Sequence, residues 1–257
     1  MSLNYGTDLD WEKWGKQDPY FGVLSDPKYL SANLNNKSLA EFFATGERHV
    51  EHVLELIRHK LKRDFQPVRV LDYGCGTGRL LIPFAKRAQT VVGVDVSQSM
   101  LAEARENCQK FDVSSAQLLH SDEIDSLAPA SFDLVHSFIV FQHIPVAQGE
   151  LVLRKLIGLI AEGGIGALHF TYSNPRPLTD RLVTGLRNRV KLVHGVLNLM
   201  KRRPFSTPAM QMNCYSIERI FDILLESNCS NVSVEFSHHG VTHGAMLYFQ
   251  KTHKSTL

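Results

Sequence analysis

Cysteine is scarce in this sequence, and its four copies form no pattern. Cys75, Cys108, Cys214 and Cys229 are scattered through 257 residues without metal-ligand spacing. That argues against a disulfide-stapled fold or a cysteine-held metal, and no metal site is expected. Thiols kept reduced suggest a cytoplasmic protein. No apolar run approaches the roughly 20 residues of a membrane-spanning helix. Met1 to Gly6 show no basic region followed by an apolar one, so no secretory leader is expected. Repeats and low-complexity tracts are missing. So is net charge, at +2. What remains is an ordinary globular composition, in a chain whose length suits one sizeable α/β domain with an appendage.

The near-zero charge hides an asymmetry. Eight basic residues and one acid, Asp180, lie between Asn174 and Arg203, giving that segment +7 and the remainder −5. Within it Leu178, Leu182, Leu186, Val190, Val193, Leu197 and Met200 fall on one helical stripe.

The chain is organised around Val68 to Leu81. Val68-Arg69-Val70-Leu71 reads as a buried strand ending on Asp72. Gly74, Gly76 and Gly78 follow at every second position, and an apolar helix begins near Leu80. A strand that turns through glycines into a helix brings backbone N–H groups and a positive helix end towards a ligand. The dinucleotide fingerprint G-x-G-x-x-G is not present; the spacing is Asp-x-Gly-x-Gly-x-Gly.

Further strands follow, alternating with helices. Thr90 to Val96 carries Asp95 near its end, with Ser97 as N-cap of a helix over 98–109. Ala116 to Asp122 reads as a third strand, again ending on an acid, and Phe132 to Phe141 as a fourth. A helix over 146–161 is expected to stop at Gly163-Gly164, before a strand from Ile165 to Tyr172. Ser216 caps a helix to about Ser227. Val232 to Phe236 and Ala245 to Gln250 read as the last strands, with His238, His239 and His243 between them. Such alternation implies βαβ units and a parallel sheet. Towards the N-terminus, Trp11, Trp14, Tyr20, Phe21 and Tyr29 mark an arm packed on the body. The helical pattern from Ser38 to Lys62 is interrupted by Gly46, which suggests two helices.

From about Phe65 to Tyr172, and again from Ser216 to Lys251, this order of elements resembles the class I S-adenosylmethionine-dependent methyltransferases, and Asp72 to Gly78 resembles their first motif. The resemblance implies a doubly wound, mostly parallel seven-stranded sheet at 65–257, with an N-terminal helical arm or lid at 1–64 and a cap insertion at about 174–213. It implies that Asp72, Gly74, Gly76 and Gly78 hold the methionine part of S-adenosylmethionine. Asp95 would accept from the ribose hydroxyls, and a carboxylate suits two donors because it only accepts. Asp122, with Ser121 beside it, would take the adenine amino group. Met100 would pack on the adenosine, and Ser137 and Phe138 would pass beneath the methionine. Singly, Asp95 could be a capping acid and Asp122 a turn residue; together they match the family's register.

The chemistry expected is alignment of a nucleophile with an already activated methyl group. If the nucleophile arrives protonated, His143 is the candidate base, following the fourth strand. A structural histidine bonded to a backbone carbonyl is the alternative reading. Tyr172 and the His238–His239 pair are weaker candidates. Phe141-Gln142-His143-Ile144-Pro145 does not match the Asn/Asp-Pro-Pro-aromatic of amino-methylating nucleic-acid enzymes, nor is there an acidic magnesium cluster; the stretch resembles the small-molecule branch. Tyr20, Phe21 and Glu47 are candidate lid contacts. The basic helix reads as a substrate cap, with docking on an anionic membrane as the alternative. Nucleic acid is disfavoured because no aromatic platform accompanies the charges. The function expected is methyl transfer to oxygen or nitrogen of a small molecule. Its rivals are a non-catalytic membrane-docking module that binds S-adenosylmethionine and an NAD-dependent oxidoreductase.

Overall fold

A computed structural model describes residues 6–175 and 207–252. Seven strands form one sheet: β1 (Arg69–Tyr73), β2 (Thr90–Asp95), β3 (Ala116–His120), β4 (Phe132–Ser137), β5 (Ile160–Ser173), β6 (Cys229–His239) and β7 (Thr242–Lys251). Their order is β3-β2-β1-β4-β5-β7-β6. The first five are parallel; β7 runs antiparallel to both β5 and β6. This is the doubly wound sheet expected.

Adjacent strand residues feed opposite core layers, as the pleat requires. Leu71 and Val135 join α6 (Val146–Leu159) and α7 (Ile217–Glu226) on one face. Val70 and Leu134 join α3 (Asn36–Lys60), α4 (Leu81–Ala85) and α5 (Gln98–Lys110) on the other. Both faces are covered, which is why the central strands read as nearly continuous apolar runs.

Three local expectations are corrected. Gly46 does not divide the N-terminal helix; α3 is continuous, starting at a capping box of Asn35 and Ser38. A Cβ at Gly46 would collide with the Arg79 carbonyl oxygen, so the glycine serves a close approach between elements. Gly163-Gly164 does not end α6 either. The helix stops at Leu159, and β5 begins at Ile160, passing through Gly163 at φ +70°. The last two strands are longer than expected: His238 pairs with His243 in β6–β7, leaving a tight connection at Gly240-Val241. The arm is helical, with α1 (Gly6–Gln17) and α2 (Pro19–Val23) packed on α5. The apolar stripe from Leu178 to Met200, and so the cap helix, lies outside the described residues.

Candidate active site

A cavity of about 820 Å³ opens at the carboxyl ends of β1, β2 and β4. Open α/β sheets bind ligands there, at the topological switch point. Gly74 to Gly76 of the glycine loop, Asp72, Asp95, Met100, Ser121, Asp122 and Phe138 line one part. Trp11, Ile139, Val140, His143, Met210, Met212 and Val241 line another.

The loop's geometry explains its glycines. Gly74, Gly76 and Gly78 have φ of +78°, +53° and +88°, the left-handed region that side chains resist. A Cβ at Gly74 would strike the Val140 side chain. The loop's N–H groups are largely spent within the fold. Gly74 and Cys75 donate to the Val94 carbonyl at 2.7 and 3.0 Å, and Gly78 to that of Cys75 at 3.0 Å. Gly76 donates to Asp95 Oδ2 at 2.8 Å. The loop therefore acts by letting strand ends and ligand come close rather than by offering a row of free donors.

Asp95 is fixed from two sides, since its Oδ1 accepts from the Ser97 N–H at 2.9 Å. Burial raises its pKa, opposed by those backbone bonds. Asp72 is almost wholly buried, at 2 % exposure. Its Oδ1 pairs with His136 Nδ1 at 2.9 Å, and His136 Nε2 lies 3.1 Å from His49 Nε2. His136 Nδ1–H donates to Asp72, and the tautomer of the two rings sets which of His49 and His136 donates to the other. Burial, followed by the charges of His136 and Arg79, holds His49 down at about 2, so it is neutral. Asp72 Oδ2 has no hydrogen-bond partner.

Two expected contacts do not line the cavity. The pleat turns Ser137 away, and its hydroxyl donates to the Tyr73 carbonyl at 2.9 Å. Gly78 faces Ile82 and Ala104 instead. Asp122 does line it, but sits in a 3₁₀ turn (Ser121–Ser126) beyond the end of β3. Met100 lines it from the first turn of α5, whose N-cap Ser97 accepts from the Met100 N–H.

His143 faces the cavity and is held by two polar neighbours. Its Nδ1 donates to the Gln211 carbonyl at 2.7 Å, leaving Nε2 to accept from the Gln142 amide at 3.1 Å. Gln142 is oriented by Thr171, whose hydroxyl donates to its Oε1 at 2.7 Å. Burial lowers His143 to about 4 against the Gln211 bond that raises it, so the ring is neutral at pH 7. Trp11 packs edge-on against it at 4.8 Å. The carbonyl-bonded histidine and the cavity-lining histidine are the same residue. Tyr172 instead meets Phe236 and His243, away from the cavity. Among the described residues no cluster of His, Cys, Asp or Glu suits a metal.

The N-terminal arm reaches the cavity through residues other than those expected. Tyr20 is buried, its hydroxyl donating to Glu103 at 2.5 Å. Phe21 packs on Trp14, and Glu47 pairs with Lys86 and Arg87. Thr7, Asp8, Trp11 and Val23 to Ser25 line the site instead. Glu12 fastens α1 there. Its Oε2 accepts from Ser97 Oγ (2.8 Å) and the Ser99 N–H (3.1 Å), and its Oε1 from Ser99 Oγ (2.7 Å). Burial pushes this carboxyl up, but the bonds from Ser99, Ser97 and Lys16 outweigh it and hold it at about 2.

Known proteins agree with this fold. Residues 70–164 match the family model described as a methyltransferase domain. The match makes that segment a methyltransferase domain and spans a little over a third of the chain. Ubiquinone biosynthesis O-methyltransferase of Aeromonas salmonicida is 29% identical to this chain over 142 residues, 55% of this chain and 58% of the relative. The 23S rRNA (uracil(1939)-C(5))-methyltransferase RlmD of Stenotrophomonas maltophilia is 34% identical over 77 residues, 30% of this chain and 16% of the relative. The chain thus spans less than two thirds of these curated relatives. Among solved structures, magnesium protoporphyrin IX methyltransferase of Synechocystis PCC 6803 with bound S-adenosylmethionine superposes with a TM-score of 0.61 at 15% identity, covering 98% of this chain and all of that one. N-methyltransferase NodS of Bradyrhizobium japonicum WM9, in complex with S-adenosylhomocysteine, gives 0.59 at 15% identity, covering 97% and 100%. At such identity these two show the fold.

Sequence reasoning missed Glu12, His49, His136 and Arg79. Arg79 carried a local signal: a cation between the last loop glycine and an apolar helix start, the helix end where positive charge is disfavoured. The others act on partners more than 60 residues away, which no local spacing announces.

Proposed function

We propose that this chain transfers a methyl group from S-adenosylmethionine to an oxygen or nitrogen of a small molecule. The observation that carries the reading is that Asp72, Asp95 and Asp122, from three successive strand ends, line one cavity beside Met100. The residues fit the cofactor. Asp72 Oδ2 is a buried acceptor without a partner, suited to an ammonium. Each Asp95 oxygen accepts one backbone N–H and keeps a second lone pair for a ribose hydroxyl. Bound S-adenosylmethionine supplies a methyl group already activated by its sulfonium.

The protein's part is orientation and exclusion of water. Trp11, Ile139, Val140, Met210 and Met212 offer an acceptor a mostly apolar wall. His143 is the group to take a proton from it. Gln211 keeps the proton on Nδ1, so the lone pair is on Nε2, where it accepts from Gln142 until a substrate displaces that bond. The arm, residues 1–64, serves as a lid, a reading supported by Trp11 in the cavity wall and the Glu12 clamp. Residues 174–213 would carry the substrate cap. The bound small-molecule enzymes among the structural neighbours favour such an acceptor. No helix among the described residues is long and apolar enough to cross a membrane.

Calorimetric titration with S-adenosylmethionine and S-adenosylhomocysteine tests the proposal. Micromolar binding that Asp95→Ala weakens by about 10- to 100-fold, the loss of a charged hydrogen-bonding group, is the expected result. No binding of either compound by folded protein would overturn it.

A further inference from the structure

Charge is unevenly spread over the cavity. Five carboxylates line it, Asp8, Asp72, Asp95, Asp122 and Asp125, against two cations, Arg79 and Lys155. Lys155 is paired with Asp125 at 2.7 Å. Arg79 stands with Asp72, Asp95 and Asp122 in the part proposed to hold the donor. The wall around His143 is left with one carboxylate, Asp8, and no lysine or arginine among the described residues that line it. His143 adds no positive charge, because its ring is neutral at pH 7.

The fold of α1 puts Asp8 there. The helix carries three acids, and two of them are turned elsewhere. Asp10 meets Lys13 at 3.9 Å, and Glu12 is spent on Ser97 and Ser99. Asp8 lines the cavity, with Thr7 Oγ1 donating to its Oδ1 over a long 3.3 Å. Trp11 follows three residues later, on the same helix face, and also lines the cavity. Its ring in turn meets that of His143 at 4.8 Å. A negative charge, an aromatic surface and a proton acceptor therefore follow one another along one wall. Met210, Met212, Ile139 and Val140 surround them with apolar groups, which strengthen the field of a charge by excluding water.

We propose that the methyl acceptor is a small molecule bearing an ammonium group apart from its reacting atom, and that Asp8 and Trp11 read this charge while His143 meets the reacting oxygen or nitrogen. Asp8 gives the ammonium a charge-assisted hydrogen bond, and an indole ring attracts a cation over its face. Asp8 is then a specificity-determining residue. An anionic acceptor would meet a carboxylate of its own sign, and a neutral one would leave that carboxylate without a counter-charge. The net negative lining also draws cations into the cavity in preference to anions. This inference rests on the methyl-transfer reading above and narrows its acceptor to one chemical class.

The test is calorimetric, on wild type, Asp8→Asn and Asp8→Glu saturated with S-adenosylhomocysteine. The probes are two matched sets, each a cation, a neutral compound and an anion of similar shape: tyramine, para-ethylphenol and para-hydroxyphenylpropionate, then tryptamine, ethylindole and indolepropionate. In wild type the amine of at least one set should bind about 10-fold or more tighter than its neutral partner, the range for a charged hydrogen bond, with the anion weakest. Asp8→Asn should remove most of that preference, Asp8→Glu should restore part of it, and affinity for S-adenosylhomocysteine itself should stay within about threefold in both. Neutral or anionic probes that bind wild type as tightly as the amines would overturn the proposal even if Asp8→Asn fails to fold. So would binding of neither amine. An Asp8→Asn protein that weakens all probes alike, as an acid serving only the end of α1 predicts, or that leaves the preference untouched, would overturn it as well. If folded wild type does not bind S-adenosylhomocysteine, the methyl-transfer reading fails and takes this one with it. If it binds and the preference for amines is missing, only the acceptor class fails.

Discussion

The two walls of the cavity are built on opposite plans. The wall at Asp72 comes from the end of β1 and the glycine loop and is backed by a relay of buried partners, Asp72 to His136 on β4 to His49 on α3. The wall around Trp11 comes from α1, the turn after β4 and residues 207–215, and is mostly apolar, with His143 and Asp8 as titrating groups beside Trp11, Met210 and Met212. The first wall suits one invariant polar ligand. Methionine side chains are flexible and polarisable and can adapt to different shapes, so the second suits whatever acceptor a particular protein serves. On the proposed function, binding of the donor and choice of the acceptor fall on structurally separate parts.

Mutations should separate the walls. His143→Ala should have the largest effect, lowering turnover by about 10²-fold or more, the usual loss of a proton-accepting group, while the affinity for S-adenosylhomocysteine stays within about threefold on the premise that this wall does not hold the donor. Comparable weakening of binding would show that the walls are not independent. In the wild type, the acid limb of the rate profile assigned to His143 should fall through about 4 rather than 6.5, because protonation of Nε2 removes the lone pair. The same depressed value makes a stability contribution that is full above about 6.5, the unfolded histidine value, and is lost progressively as pH falls to about 4.

His136→Leu breaks the other wall. It strips Asp72 Oδ1 of its partner in a buried place and should cost about 2 kcal/mol, read as a lower urea midpoint, with weaker S-adenosylhomocysteine binding as well. An unchanged midpoint would mean that Asp72 finds another donor. The smallest effect belongs to Glu12→Gln, about 1 kcal/mol in urea unfolding. Glu12 is held at about 2 from an ordinary 4.5, so its share of stability is full above 4.5 and disappears as pH falls to about 2. The variant should lack that portion of the acid slope. An identical slope in both proteins would remove Glu12 as the clamp of α1.

How much of this was legible depended on the range over which each signal acts. Asp72, the glycine loop, Asp95 and the Ser97 cap were readable because strand, turn and helix signals are local and fall within a few residues. Gly46 was misread for the same reason. Helix propensity counts an interior glycine as a break, whereas the contact that calls for it is with Arg79, more than thirty residues on. Ser137 was placed in the site by proximity to the strand end, but the pleat gives adjacent residues opposite directions, and Phe138 lines the cavity in its place. The packed helical arm was anticipated and its contacts were not, since Tyr20 and Glu47 resemble Trp11 and Glu12 in chemistry and differ only in which neighbour the packing gives them.

The segment from Gln211 to Tyr215 is stitched to the turn after β4 and to β5. Gln211 receives the His143 bond, Asn213 donates twice to the Gln142 carbonyl, the Tyr215 N–H donates to Thr171, and its hydroxyl donates to Ile144. These bonds use backbone atoms and a few fixed side chains, and none calls on a residue between 176 and 206. That makes the junction work like a socket. Any change upstream that keeps residues 211–215 in register should leave these bonds in place. On the proposed function, new acceptors could then be sampled by swapping one cassette, at little risk to the part of the cavity around Asp72 and Asp95.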